Sequence, residues 1–98
     1  MIRHIVSWKL KESFTTAERE EAMRSIQERL EALPRIIDGI IDFKVLPLLP
    51  TSTDDLALIS TFTDEEALAS YQVHPAHQEA AAYVGTMRES RTCIDYVI

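Results

Sequence analysis

The chain opens with a regular alternation of apolar and polar side chains between positions 2 and 10. A period of two predicts a β-strand with one buried and one exposed face. His4 and Trp8 fall on the apolar face of this strand. Trp8 is expected to fill the core. For His4, a histidine satisfied inside the core is the simpler interpretation, and a residue that faces a ligand is the alternative.

Two capping-box patterns mark the starts of helices further along. Thr15 and Glu18 precede an amphipathic segment, so a helix is expected there, and Pro34 should end it because the residue before a proline is pushed out of the helical region. Thr63 and Glu66 have the same spacing and predict the start of a second helix. Each helix should lay its apolar side on the sheet.

Three further strands complete the pattern, at positions 40–46, 56–62 and 92–98. In the first of them Ile41, Phe43 and Val45 are expected on one face. The order of strands and helices predicts an α+β protein with a ferredoxin-like split βαβ fold, a four-stranded antiparallel sheet with helices on one face. Residues 1–98 are interpreted as a single domain.

Composition narrows the functional classes. The 98 residues carry a net charge of −6 with no basic block, which argues against nucleic acid or acidic lipid as a partner. No apolar run is long enough to span a bilayer, and the N-terminus lacks a signal-peptide pattern. The single cysteine, Cys93, cannot form an internal disulfide. We therefore expect a cytoplasmic protein.

The face of the sheet without helices keeps apolar residues, among them Ile5 and one set from the strand at 56–62. Such a face needs cover, and a second copy of the chain is the simplest source. The pattern therefore predicts a homodimer that forms a dimeric α/β barrel.

The stretch Tyr71-Gln-Val-His74-Pro75-Ala-His77 concentrates the candidate chemistry. Tyr71 should point inward from one helix, and Pro75 suits the first position of the next. His77 then lies in the first helical turn, where the helix dipole disfavours a protonated imidazole. A tyrosine and a neutral histidine can act as an acid–base pair on a carbonyl compound.

The alternative is that this corner is structural. The His74-Pro75 pair can form a cap with a rigid turn, and His77 can satisfy the Tyr71 hydroxyl inside the core. No carboxylate or cysteine stands at clear metal-ligand spacing from the histidines, and a chain with two glycines has no phosphate-binding loop. Neither a metal nor another cofactor is expected.

The chain resembles the stress-responsive dimeric α/β-barrel (Dabb) family over nearly its whole length. The Tyr-x-x-His-Pro-x-His motif of Tyr71, His74, Pro75 and His77 is the most specific part, and the Asp95-Tyr96 pair near the C-terminus fits as well. The resemblance implies a ferredoxin-like protomer that dimerises through its sheet. Within the family the motif is similar to that of the plant olivetolic acid cyclases, which are cofactor-free polyketide cyclases.

That similarity implies catalytic roles for His77 and Tyr71, of lyase, cyclase or isomerase type, on a carbonyl or aromatic compound. It also implies a small apolar ligand pocket beside the sheet. The chain differs from the cyclases at Ala22 and Met23, where they carry bulky aromatic residues. The alternative function is a non-catalytic stress-associated or ligand-binding dimer. The residues expected to bind the ligand are His4, Val6, Trp8, Met23, Ile26 and His74.

Overall fold

A computed structural model describes all 98 residues and has the order of elements that the sequence predicts. The elements are β1 (Ile2–Leu10), α1 (Thr16–Glu31), a 3-10 turn (Leu33–Arg35), β2 (Ile40–Pro47), β3 (Leu56–Phe62), α2 (Glu65–Val73), α3 (Pro75–Gly85) and β4 (Arg88–Val97). The four strands form one sheet in the order β2-β3-β1-β4, and every neighbouring pair is antiparallel. The ferredoxin-like α+β fold is therefore confirmed.

One apolar core joins the sheet to the helices. Every even-numbered residue of β1 from Ile2 to Leu10 is buried, including His4, and every odd-numbered one is partly exposed. Helix α1 contributes Ile26 and Leu30 to this core, and α3 contributes Val84. The helices therefore cover a single face of the sheet, and β1 lies at its centre.

The first capping box is confirmed and the second is wrong. The backbone N–H of Glu18 donates to the Thr15 hydroxyl at 3.1 Å, and the Thr15 N–H donates to the Glu18 carboxylate at 2.8 Å. At α2 the cap is Asp64, whose carboxylate accepts from the Ala67 N–H at 2.8 Å. An aspartate caps a helix at least as well as a threonine, so the helix begins one residue later than expected.

A bulge in β2 changes which isoleucine faces the core. Ile40 pairs with Phe62 but Asp42 pairs with Thr61, so the strand contains one extra residue at this point. Because the bulge reverses the alternation, Ile40 faces the same side as Phe43, and Ile41 is exposed. The prediction that Ile41 shares the buried face is therefore wrong.

A second bulge lies near the start of β4, which begins at Arg88 and not at Thr92. Ser90 pairs with Lys9 and Arg88 pairs with Leu10, so Glu89 is the extra residue. Without the bulge, Arg88 and Arg91 would point to opposite faces, since their positions differ by an odd number. With it, both face the side of the sheet that the helices cover.

The opposite face of the sheet has no helix and carries a row of isoleucines. Ile59 of β3 pairs with Ile5 of β1, which pairs in turn with Ile94 of β4. We call these three residues the isoleucine row. Ile94 has 54% of its surface exposed in the single chain. None of the three helices has the length and hydropathy that a membrane span requires.

Candidate functional site

A cavity of about 280 Å³ lies between the sheet and the helices, and seven of its eleven lining residues are apolar. Strand β1 forms one wall with His4, Val6 and Trp8, and the helical corner contributes Tyr71 and His77. These are five of the eight residues that the sequence predicts to be catalytic or ligand-binding. The other lining residues are Leu30, Leu58, Ala81, Val84, Arg88 and Arg91.

Tyr71 projects from α2 into the centre of an aromatic cluster. Its ring centroid lies 4.9 Å from that of Phe62, 6.0 Å from Phe43, 6.1 Å from His4 and 4.3 Å from His77. Only 1% of the residue is exposed. These contacts fix the ring, because aromatic pairs at such separations are favourable.

The hydroxyl of Tyr71 opens onto the cavity. Every side-chain nitrogen or oxygen that the protein encloses fully has a hydrogen-bond partner. The Tyr71 hydroxyl has none within the protein, so it must reach the open space that the residue lines. Burial raises the pKa of Tyr71 well above its ordinary value of 10.0, and the positive charge of Arg91 offsets only part of this. The phenol therefore stays neutral and can donate a hydrogen bond.

His77 is held as a neutral imidazole with one free nitrogen. It is the third residue of α3, and its Nδ1 lies 3.2 Å from the carbonyl oxygen of Gln72. Because a carbonyl only accepts, Nδ1 carries the proton and Nε2 has a free lone pair. Burial lowers the pKa of His77, the hydrogen bond to the Gln72 carbonyl offsets part of this, and the positive charge of Arg91 lowers the pKa further.

His4 is oriented by Asp95, which sequence reasoning did not identify as a site residue. The two residues face each other across the β1–β4 pair, and Nδ1 of His4 donates to the Asp95 carboxylate. This bond fixes the orientation of the His4 ring and leaves Nε2 as the ring nitrogen that the carboxylate does not engage. The two residues lie 91 positions apart, so only the pairing of the first and last strands could have indicated the contact.

Cys93 lies beside this pair and completes the one group that could hold a metal ion. The ligand atoms of His4, Cys93 and Asp95 all lie within 4.8 Å of one another. Burial, followed by the negative charge of Asp95, raises the pKa of the Cys93 thiol. A protonated thiol is a poor metal ligand, and Nδ1 of His4 already donates to Asp95. The arrangement therefore favours orientation of His4 over metal binding.

Three of the nominated ligand-binding residues do not line the cavity. Nδ1 of His74 accepts from the Ala76 N–H at 3.0 Å and so caps α3, and the ring borders a separate surface depression beside Gly39. Ile26 is fully enclosed in the core, and Met23 packs against the core from its edge. The helix reaches the cavity one turn later, at Leu30, because a residue and its fourth successor share one helix face.

Arg88 and Arg91 also line the cavity, and the sequence does not indicate them as site residues. The last strand is predicted to begin only at position 92, after both arginines. Even in a longer strand, regular alternation would put Arg88 and Arg91 on opposite faces. Arg88 is half-buried and Arg91 is exposed. Neither guanidinium forms an ion pair, since the salt bridges of the chain involve Arg19 and Arg24 but no other arginine.

Residues 2–98 match the family model of the stress responsive A/B barrel domain. A dimeric ferredoxin-like protein of unknown function from Bacteroides fragilis is 34% identical, with a TM-score of 0.91, and the match covers 99% of this chain and 95% of that one. A Dabb family protein from Mesorhizobium loti is 25% identical, with a TM-score of 0.75 and the same coverage.

A hydroxynitrile lyase from Passiflora edulis is similar in fold. It is 21% identical, with a TM-score of 0.80, and the match covers 99% of this chain and 92% of that one. At this identity the likeness shows the fold alone. A comparison with curated protein sequences finds no match.

Proposed function

The chain belongs to the stress responsive A/B barrel domain family, and from this premise we propose a homodimer that acts on a small carbonyl compound by acid–base chemistry without a cofactor. The reaction is of lyase, cyclase or isomerase type. Tyr71 and His77 are the proposed catalytic residues, and His4 assists them from β1. Val6 and Trp8 contact the apolar part of the substrate.

The isoleucine row supports the homodimer. It forms a continuous apolar strip across three strands on a face that no helix covers. Two copies that meet through this face bury the same side chains from each protomer, as a two-fold axis requires. The Bacteroides fragilis relative is described as dimeric and shares the fold at 34% identity.

The chemistry of the site suits removal of a proton next to a carbonyl group. The neutral phenol of Tyr71 donates a hydrogen bond to the carbonyl oxygen, and the free Nε2 of His77 accepts the proton from the adjacent carbon. The carbon–hydrogen bond breaks and its electron pair moves into the enolate, whose oxygen Tyr71 stabilises. The proton then returns from His77 to the product.

The buried Tyr71 hydroxyl without a protein partner carries this proposal. Because this hydroxyl reaches the cavity and is not sealed in the core, a ligand that accepts its hydrogen bond gains a net contribution of about 0.5–1.5 kcal/mol. The group stands beside a histidine whose pKa is lowered, in a cavity close to the size of small-molecule sites. Perturbed titratable groups in a cleft are typical of functional sites.

The second candidate function is ligand binding without catalysis, in which the corner is structural. Two hydrogen bonds favour it. His74 caps α3, and the Nδ1–H of His77 binds the Gln72 carbonyl and so ties α3 to the end of α2. The motif thus has a structural part in either case. The two functions differ in whether Tyr71 and His77 also move a proton.

Exchange of α-protons in heavy water distinguishes the two functions. A panel of small alkyl and aryl ketones, aldehydes and keto acids is incubated with the protein, and loss of the α-proton signal is followed by ¹H NMR. We expect at least one compound to exchange faster than in buffer, and Tyr71→Phe to slow that exchange by about 10²-fold or more, since the enolate loses its hydrogen-bond donor.

His74→Asn is the matched control for this experiment. Asparagine is a good N-cap, so the substitution removes an imidazole from the motif while keeping the cap of α3. We expect this variant to retain the exchange rate. If no compound of the panel exchanges faster than in buffer, while members of it bind in the cavity, the non-catalytic function is supported and the acid–base proposal fails.

A further inference from the structure

We propose that Arg88 and Arg91 form a carboxylate-binding subsite, and that the substrate is an alkyl or aryl compound with a carboxylate besides its carbonyl group. This inference rests on the proposed function and names the substrate class of the same cavity. In this arrangement the two arginines bind the carboxylate, and the apolar side chains of β1 contact the hydrocarbon part of the substrate.

The bulge at Glu89 is the first observation. The bulge interrupts the regular pairing of β4, the edge strand, with β1. It also turns Arg88 to the same face of the sheet as Arg91. Bulges are common next to active sites, where they re-aim a side chain. Two guanidinium groups on one side of a single cavity give the planar, bidentate donors that suit a carboxylate.

The missing ion pairs are the second observation. The chain has 16 acidic residues against 10 basic ones, so carboxylates are in excess. Lys9 shares a strand pair with these arginines and lies within 4.0 Å of Glu89. Arg88 and Arg91 pair with no acidic side chain of the protein, and of the arginines without an ion pair they are the two that line this cavity. Positive charge left uncompensated at an apolar cavity favours an anionic ligand there.

The arrangement along the sheet is the third observation. Arg91 pairs with Trp8 and Asp95 pairs with His4, so the two backbone positions lie on the same face of β4, four residues apart. Their backbones are about 13 Å apart. The Arg91 charge reaches part of the way, because it acts on the Cys93 thiol, which lies 3.6 Å from the Asp95 carboxylate. The charge of Arg91 still acts on Tyr71 and His77, in each case after burial as the larger cause of the altered pKa. A bound carboxylate is therefore close enough to place the rest of the molecule near Tyr71.

Binding of carboxylates and their neutral amides tests the subsite. Benzoate, phenylacetate and hexanoate are titrated against benzamide, phenylacetamide and hexanamide, at constant ionic strength, by ¹H–¹⁵N NMR of the whole chain. We expect carboxylates to bind at least about tenfold more tightly than their amides, as charge-assisted bidentate pairs do. Arg91→Gln and Arg88→Gln should each remove most of this preference.

Arg35→Gln is the control, because it removes the same charge from an exposed arginine that lines no cavity and forms no ion pair. It should retain the preference. The subsite is refuted if the amides bind as tightly as the acids, if Arg91→Gln leaves the preference unchanged, if inorganic phosphate binds as tightly as the carboxylates, or if no carboxylate binds at millimolar concentration.

The same titration on His77→Gln separates the subsite from the acid–base function. The arginines do not contact His77 through any hydrogen bond, so we expect this variant to keep its preference for carboxylates. A protein that prefers carboxylates but exchanges no α-proton has the subsite without the proposed catalysis. A protein that exchanges α-protons of neutral ketones and keto acids equally well has the catalysis without the subsite.

Discussion

His77→Gln is expected to slow α-proton exchange by about 10²–10⁴-fold, the usual contribution of a positioned general base. Glutamine keeps a polar side chain of similar reach but has no basic nitrogen. The Nδ1 atom of His77 is already committed to the Gln72 carbonyl, so its Nε2 is the nitrogen that can accept a proton. The measurement is the exchange rate of the best compound of the panel, by NMR, at saturating concentration.

The pH profile of the wild-type rate gives an independent check on His77. Burial lowers the pKa of His77 from its ordinary value of 6.5, so the reactive neutral form persists to lower pH than in a free histidine. The rate should therefore be flat near neutral pH and fall only on the acid side, below 6.5. Tyr71 should add no alkaline limb below pH 10, because burial raises its pKa.

The lowered pKa of His77 also determines how its contribution to the free energy of unfolding changes with pH. In the unfolded chain His77 gains a proton near pH 6.5, before it does so in the folded protein. Its contribution to the free energy of unfolding is therefore present above pH 6.5 and is lost as the pH falls below that value.

An exchange rate in His77→Gln equal to that of the wild type, with the same pH profile, would rule out His77 as the base.

Ile94→Asp is expected to convert the homodimer to a monomer. Ile94 ends the isoleucine row and exposes 54% of its surface in the single chain. Burying an isoleucine contributes about 1.5–3 kcal/mol, and an unpaired buried carboxylate adds a further cost. Because a two-fold dimer contains the substitution twice, we expect the dissociation constant to rise at least about 100-fold. Light scattering after size exclusion measures the mass.

Leu49→Asp is the matched control, since Leu49 is an exposed apolar residue in the loop between β2 and β3 and does not belong to the sheet. It should leave the dimer intact. A wild-type chain that elutes as a monomer at micromolar concentration contradicts the dimer proposal. An Ile94→Asp dimer as tight as the wild type would instead place the interface elsewhere.

Local patterns were enough to predict the fold. The alternation in β1 predicted the strand and its buried face because β1 is paired on both edges from Ile2 to Trp8. The Thr15 capping box gave the start of α1 because the cap involves residues three apart. Features of this kind depend on neighbours in sequence, which the sequence displays directly.

The two bulges could not be predicted from the sequence, and they determine which side chains face the core and the cavity. A bulge is set by how one strand fits its partner, so Ile41 and Glu89 show nothing unusual in their own segments. The error at Ile41 affects one exposed side chain. The bulge at Glu89 decides that Arg88 and Arg91 share the cavity, and no period-two interpretation of the strand would have found this.

The motif located the site only in part. Tyr71 and His77 meet because Pro75 starts a new helix directly after α2, a local feature. His74 belongs to the same motif but serves as the helix cap. Met23 and Ile26 lie on the apolar face of α1, but the position of the helix over the sheet makes Leu30 the residue that reaches the cavity. That position depends on packing between distant segments.

The free energy of unfolding of Tyr71→Phe tests most directly whether the Tyr71 hydroxyl binds a ligand and not another group of the protein. The hydroxyl has no hydrogen-bond partner in the protein, and phenylalanine supplies a ring of the same shape for the contacts with Phe62 and the other aromatic residues. We expect the variant to unfold within about 0.5 kcal/mol of the wild type in the absence of ligand, while α-proton exchange is lost. A loss of more than about 1 kcal/mol would show that the hydroxyl is bonded within the fold and would contradict its assignment to a substrate.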